Sequence, residues 1–205
     1  DYTQDMRISK DIMKQLSEAY RKIRNTARYM LGNLNGFDPD HLVADAELLE
    51  LDRWALAQFN ALVENARASY EAYEFHNVYR AIYNFCVVAM SNFYLDIIKD
   101  RLYCDGANSL ERRSAQTAMY HILSGMVRLI SPILAFTSEE IWAAMPHSKQ
   151  DDAESVLFNQ MPQVHPAWNL TEAENTEWAQ VQALRADVNK ALENARAEKL
   201  VGKSL

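Results

Sequence analysis

Residues 82–103 read IYNFCVVAMSNFYLDIIKDRLY. From Ile82 to Ile98, apolar side chains cover most of the circumference of a 3.6-residue helix, the pattern of a helix enclosed on nearly all sides. Such a helix needs neighbours around it, so the stretch predicts the central member of a helix bundle. Its last turn is different in kind. Lys99, Arg101 and Tyr103 place two cations and a ring together. That end is either the solvated tip of a core helix or a surface for a negatively charged, ring-bearing ligand.

The neighbours are legible on both sides. Ile8, Ile12, Leu16, Ala19, Ile23, Ala27 and Met30 recur at three- and four-residue steps, which predicts a first helix over 9–31 with one apolar stripe. Ser9 suits its N-cap and Gly32 its C′ position. NLNGFDPD (33–40) carries Asn-Gly and Asp-Pro turn signals. A second helix is expected over 47–73, with Leu48, Leu51, Trp54, Ala55, Phe59, Leu62, Val63, Ala66 and Tyr70 inward. The third covers 76–103 and the fourth 110–130, with Ser109 as N-cap and Pro132 as terminator. Thr137 and Glu140 read as a capping box for a short helix ending before Pro146. The polar segment 147–170 reads as loop, with SVLF (155–158) as a brief extended piece. A last helix over 172–200 would turn Trp178, Val181, Leu184, Val188 and Leu192 inward.

No useful strand alternation or internal repeat breaks this pattern. The expected fold class is all-α: an antiparallel helix bundle over 1–146, a mostly irregular loop over 147–170, and a C-terminal helix over 171–205. With 49% apolar and 24% charged residues, and only five glycines and five prolines, the composition suits long helices in a globular chain. No signal peptide or membrane span is legible, so a cytoplasmic, membrane-free setting is expected.

The net charge of −7 argues at first against nucleic acid. Its distribution is segregated, however. Residues 7–28 hold seven basic and two acidic side chains, whereas residues 38–74 hold nine acidic and two basic ones. Lys10, Lys14, Arg21 and Arg28 share one face of the first helix, which is either a solvated stripe or a surface for phosphates.

Catalytic signatures are lacking. There is no G-x-G-x-x-G, G-x-S-x-G or H-E-x-x-H pattern. VGKS at 201–204 lacks the opening glycine and preceding strand of a phosphate-binding loop. The five histidines do not pair at metal-ligand spacing, and Cys86 and Cys104 form no C-x-x-C. Cys86 reads as a small core residue, and Glu139-Glu140 as acids at a helix N-terminus. No catalytic residue and no metal ligand is therefore assigned. What remains are cations interleaved with rings in YRKIRNTARYM, FYLDIIKDRLY and LERRSAQT. Phosphates take Lys and Arg, and unpaired bases stack on rings. Amphipathic helices with solvated cations produce the same pattern.

Five segments carry a resemblance, in one order: AYRKIRNTARYMLGNLNGFDP (19–39), SNFYLDIIKDRLY (91–103), RRSAQTAMYHIL (112–123), SPILAFTSEEIW (131–142) and VNKALENARAEKLVGKSL (188–205). Together they resemble the C-terminal anticodon-binding region of bacterial-type isoleucyl-tRNA synthetases, of the class I anticodon-binding bundle type. The resemblance implies a fragment, inactive by itself. The HIGH and KMSKS signatures of ATP binding are expected before Asp1, the editing domain is missing, and a zinc module is expected after Leu205. ATP and zinc would thus belong to the parent isoleucine-tRNA ligase, and no cofactor to this stretch. The implied partners are the anticodon stem-loop of isoleucine tRNA and the catalytic domain of the same chain, in a monomer.

By the same resemblance, Lys99, Arg101, Tyr103, Arg112 and Arg113 would meet RNA at one end of the bundle. Arg21, Arg24 and Asn25 would meet RNA or the catalytic domain, and Trp142 would be a contact or a core residue. The competing readings are the corresponding domain of a valyl enzyme and a helical protein-interaction module without RNA.

Overall fold

The computed structural model describes residues 5–202, and every described regular element is helical. The chain divides into two compact units, Asp1–Asn169 and Leu170–Leu205.

In the first unit, α1 spans Lys10–Asn33 and begins at Ser9, whose Oγ accepts from the Ile12 N–H at 3.2 Å. Only its second half is buried, through Ile23, Thr26, Ala27 and Met30. Ile8, Ile12 and Leu16 are exposed, so the continuous stripe expected from the sequence becomes a core contact only past its midpoint. Gly32 lies inside the helix instead of ending it. The left-handed residue is Gly36, with φ +74°, in the turn that follows.

Helix α2 (Glu50–Glu71) begins later than the apolar pattern suggests because Asp45–Glu47 winds into a 3₁₀ turn. It buries the expected Leu51, Trp54, Ala55, Phe59, Leu62, Val63 and Ala66. It also buries Asp52, Asn60 and Ser69. The third helical run is not one α-helix. It consists of α3 (Phe75–Asn84), a π-helical segment (Phe85–Tyr94), α4 (Leu95–Ile97) and, past a turn at Ile98, α5 (Lys99–Cys104). Each π turn takes more residues than an α turn and so re-phases which side chains point inward. The segment is not enclosed on nearly all sides as its apolar pattern suggests: Phe85, Cys86, Met90, Phe93 and Tyr94 are buried, whereas Val88, Ser91 and Asn92 are exposed. The hydroxyl of Thr26, on α1, lies 3.0 Å from Ser91 Oγ and 3.5 Å from the Cys86 carbonyl oxygen, against this segment.

Helix α6 (Leu110–Ile130) is buried along most of its length from Ser114 onward and shares the bundle centre with the third run. Ser109 caps it as expected, accepting from the Arg112 N–H at 3.3 Å. Gly125 is where Phe59 of α2 crosses: a Cβ there would sit 2.3 Å from the ring. Helix α7 (Ala135–Ala144) starts before the expected capping box, on backbone bonds from Leu134 to Ile130 and from Ser138 to Leu134. Thr137 therefore lies inside it and bonds the Tyr20 hydroxyl at 3.1 Å. Glu139 accepts from Ser155 and the Val156 N–H, and Glu140 pairs with Arg24, so neither acid serves as a helix-end charge.

The SVLF segment is not extended: Val156–Phe158 and Pro166–Trp168 are 3₁₀ turns. Side chains strap this irregular stretch to the bundle. Asn60 bonds both backbone groups of His165, Arg67 reaches Pro162 O, and Trp168 Nε1 donates to Asp45 at 2.9 Å.

The second unit holds α8 (Glu172–Ala197), opened by a reciprocal capping box between Thr171 and Glu174. Val181, Leu184, Val188 and Leu192 are exposed on it, contrary to the inward placement read from their spacing. Periodicity marks a face and does not supply the surface that covers it. No helix among the described residues is long and apolar enough to cross a membrane. Lys203 and Ser204 of the VGKS tetrapeptide lie outside them.

Gly125→Ala should destabilise the fold by about 1–3 kcal/mol through overpacking against Phe59, although alanine is the better helix former by about 1 kcal/mol. Urea unfolding followed by circular dichroism measures the difference, and an unchanged or raised midpoint would contradict the close approach.

Candidate nucleic-acid interface

Asp52 lies at the start of α2 with no exposed surface. Its carboxylate accepts from the Tyr94 hydroxyl at 2.7 Å, Ser114 Oγ at 2.6 Å and an Arg101 guanidinium nitrogen at 3.3 Å. Burial pushes its pKa up, against the pull of Ser114, Tyr94 and Arg101. Three donors around an acceptor-only group match the ionised form. Ser114 Oγ also takes the Leu49 N–H at 2.9 Å, which satisfies an otherwise orphaned donor at the start of α2. One carboxylate thus ties together α2, the π-helical segment, α5 and α6.

This network separates the residues that the sequence placed in one group. Arg101 is turned inward as the counter-charge of Asp52 and only its edge reaches solvent. Lys99 bonds Asp96 at 2.7 Å, with both side chains about half exposed, and that carboxylate holds the ammonium pKa up. An exposed pair of this kind is weak and exchanges readily for another anion. Tyr103 is exposed, and its hydroxyl donates to the Tyr29 hydroxyl at 3.3 Å. Burial, then the Tyr103 hydroxyl, pushes the Tyr29 phenol well up, so it stays protonated.

Arg112 reaches the Asp105 carbonyl at 3.5 Å. Arg113 bonds the His41 carbonyl and lies over the Phe37 ring, 5.7 Å from its centroid. Gln116 Nε2 donates to Asn33 O at 2.9 Å. The contacts Tyr29–Tyr103, Asn33–Gln116 and Phe37–Arg113 bring the C-terminal end of α1, α5 and the start of α6 to one end of the bundle. All five residues of the expected contact group belong to those elements, with Arg101 withdrawn.

Of the remaining candidates, Trp142 is fully buried, and its Nε1 donates to Asp152 O at 3.0 Å. It is a core residue and has no surface to offer RNA, which corrects its place among the possible contacts. Arg24 pairs with Glu140 of α7 at 3.3 Å. Arg21 and Asn25 are exposed on α1, one turn apart on the ridge that leads to Arg28.

A cleft runs between α1 and the third helical run. One part, of about 320 Å³, is lined by Lys22, Asn25 and Tyr29 from α1 and by Ser91, Asn92 and Lys99 across from them. It continues past Asn25 and Tyr29 into a second hollow bounded by Arg28, Asn33 and Tyr103. The sequence places Arg28 on the basic face of the first helix, whereas Lys22 and Tyr29 are not among its candidate contacts. Their signal was present, since residues 22, 25, 26 and 29 recur at helical spacing, but nothing in one helix says which other helix it faces.

Elsewhere, His121 packs against Trp168 and Tyr120 with ring centroids at 4.9 and 5.6 Å. Burial pushes its pKa down to about 4. The cysteines are free, and burial pushes the Cys86 thiol up to about 12, as suits an inert core residue. Among the described residues no three His, Cys, Asp or Glu side chains converge as metal ligands.

Residues 52–205 match the family described as the anticodon-binding domain of tRNA ligase. The chain belongs to that family. Over 206 aligned residues, covering all of this chain, it is 53% identical to the isoleucine–tRNA ligase of Syntrophotalea carbinolica. It is 50% identical to that of Caldanaerobacter subterraneus subsp. tengcongensis and 48% to that of Geobacter sulfurreducens. Each match takes in 22% of the relative, so the chain spans roughly a fifth of the length of these curated proteins. The anticodon-binding family match starts at Asp52, the residue that joins the helices. Helix α1, one wall of the cleft, precedes that match but falls within the matches to the ligases.

Two measurements test the electrostatics of this anticodon-binding domain. Asp52→Ala strands Arg101 and two buried hydroxyls and should cost about 3–5 kcal/mol in urea unfolding. A loss below 1 kcal/mol would contradict the network. His121, with its folded pKa below the unfolded value of about 6.5, contributes stability that is present above that pH. The unfolded state binds the extra proton as pH falls, so this stability is lost between about 6.5 and about 4. His121→Gln should flatten that part of the stability–pH curve, and an unchanged slope would show that the ring is not buried as described.

Proposed function

We propose that the chain holds the anticodon stem-loop of isoleucine tRNA for an isoleucine–tRNA ligase. The observation that carries this reading is the end-to-end similarity to such ligases, 53% over the whole chain. The chemistry at the α1–α5–α6 end fits it. Lys99, Arg112 and Arg113 offer charge to phosphates, and Tyr103 is an exposed ring on which an unpaired base can stack. Lys22 and Arg28 extend that charge along α1.

Binding the loop fixes the orientation of a tRNA whose acceptor end reacts elsewhere. The domain's contribution to ATP-dependent aminoacylation is then binding energy and alignment, with bond-making left to the catalytic part of the ligase. On this reading the protein works as a monomer in the cytoplasm, beside the tRNA it holds. Arg101 acts indirectly, by neutralising Asp52 so that α5 presents Lys99 and Tyr103 outward.

Gel shifts with three hairpins test the proposal: the isoleucine stem-loop, the valine stem-loop and a scrambled loop on the same stem. Tightest binding to the first supports it. Equal binding to all three, or preference for valine, overturns it. Lys99→Ala combined with Tyr103→Ala should weaken isoleucine stem-loop binding several-fold, and loss of one phosphate contact should lower the salt slope by about 1. Circular dichroism should show the double variant folded, since both side chains are exposed.

A further inference from the structure

The cleft between α1 and the third helical run has a composition that a phosphate-binding surface does not need. We propose that it takes one nucleobase turned out of the loop, with Asn25 reading its edge. The inference rests on the stem-loop reading above and adds to it a specific base-binding residue.

Size is the first ground. At about 320 Å³, the part lined by both helices falls at the small end of ligand pockets, room for one heterocycle and not for a folded segment. The lining is the second. Val87 and Leu95 form apolar wall, Tyr29 supplies a ring, and the amides of Asn25 and Asn92 carry both donor and acceptor. An amide of this kind can pair bidentately with a base edge. Tyr29, held protonated, can donate through its hydroxyl.

Charge placement is the third ground. Asp96 lies on the wall, bonded to Lys99. When Lys99 turns to a phosphate, the Asp96 carboxylate lining the cleft is left to accept from a neutral group with an amine to donate. Lys22 and Lys99 stand on opposite helices, and Arg28 lines the adjoining hollow, where the backbone leaving a buried base would pass. Cations, amides, a ring and a carboxylate lining one cleft make a base pocket flanked by phosphate contacts. The π-helical segment supplies Val87, Ser91 and Asn92 to this wall, and such irregular turns are frequent at functional sites. The carboxylate selects a base bearing an exocyclic amine.

The test uses a full-length ligase carrying this chain, as wild type, Asn25→Ala and Asn25→Asp. Binding is measured for isoleucine tRNA and for a set with one abasic site moved through the anticodon loop. At one position the abasic site should cost the wild type about tenfold, the size of one good bidentate pair. In Asn25→Ala the same abasic site should cost less than about twofold, with the salt slope unchanged because no phosphate contact is lost. Asn25→Asp should shift the preference at that position further toward amine-bearing bases. If abasic penalties are the same in wild type and both variants at every position, the base pocket is wrong while stem-loop recognition stands. If the wild type does not discriminate isoleucine tRNA from a scrambled-loop tRNA, the stem-loop reading fails and the pocket with it.

Discussion

A carboxylate without solvent holds one end of this bundle together. Burying Asp52 is costly unless its lone pairs are met, and they are met from three directions: Tyr94, Ser114 and Arg101. Each donor comes from a different helical element, so the four elements keep their relative positions only while the network is complete. Ser114 passes the constraint on to the first turn of α2 through the Leu49 N–H. The loops that join these elements add little comparable restraint, being short and exposed around residues 104–109.

The same constraint sorts the cations by what it would cost to move them. Releasing Arg101 toward an outside anion would leave Asp52 buried and uncompensated, a loss of about 3–5 kcal/mol that one phosphate contact does not offset. Releasing Lys99 from Asp96 involves two half-exposed groups and requires no such sacrifice. Arg113 lies between these cases, since its stacking on Phe37 can persist while a nitrogen turns to a new partner. A basic residue at the tip of a helix is therefore not one kind of object. Its availability depends on whether its present partner has water to fall back on.

The irregular segment after α7 obeys a related rule. Its backbone is held by side chains from the bundle, as Asn60 holds His165 and Arg128 holds Gln160. Trp142 and Trp168 anchor it from beneath, each satisfying its indole N–H, on Asp152 and Asp45. A stretch that reads as loop by composition is thus fixed in place, and the same packing keeps His121 neutral over the Trp168 ring.

By itself the sequence determined the helices, two of their caps and the resemblance that names the family. Local signals carry those features: apolar spacing at 3.6 residues, Ser9 and Ser109 before helical runs, and motifs in a set order. The cations and rings at the end of residues 82–103 were legible too. Only the tertiary structure decided that Arg101 faces Asp52, that Trp142 is enclosed, and that α7 starts without its expected capping box. It also decided that half of α1 stays uncovered and that Tyr29 and Asn25 look across a cleft at a π-helical wall. Those outcomes depend on which helix face meets which, a pairing of residues 40 to 120 positions apart that no window of local sequence encodes.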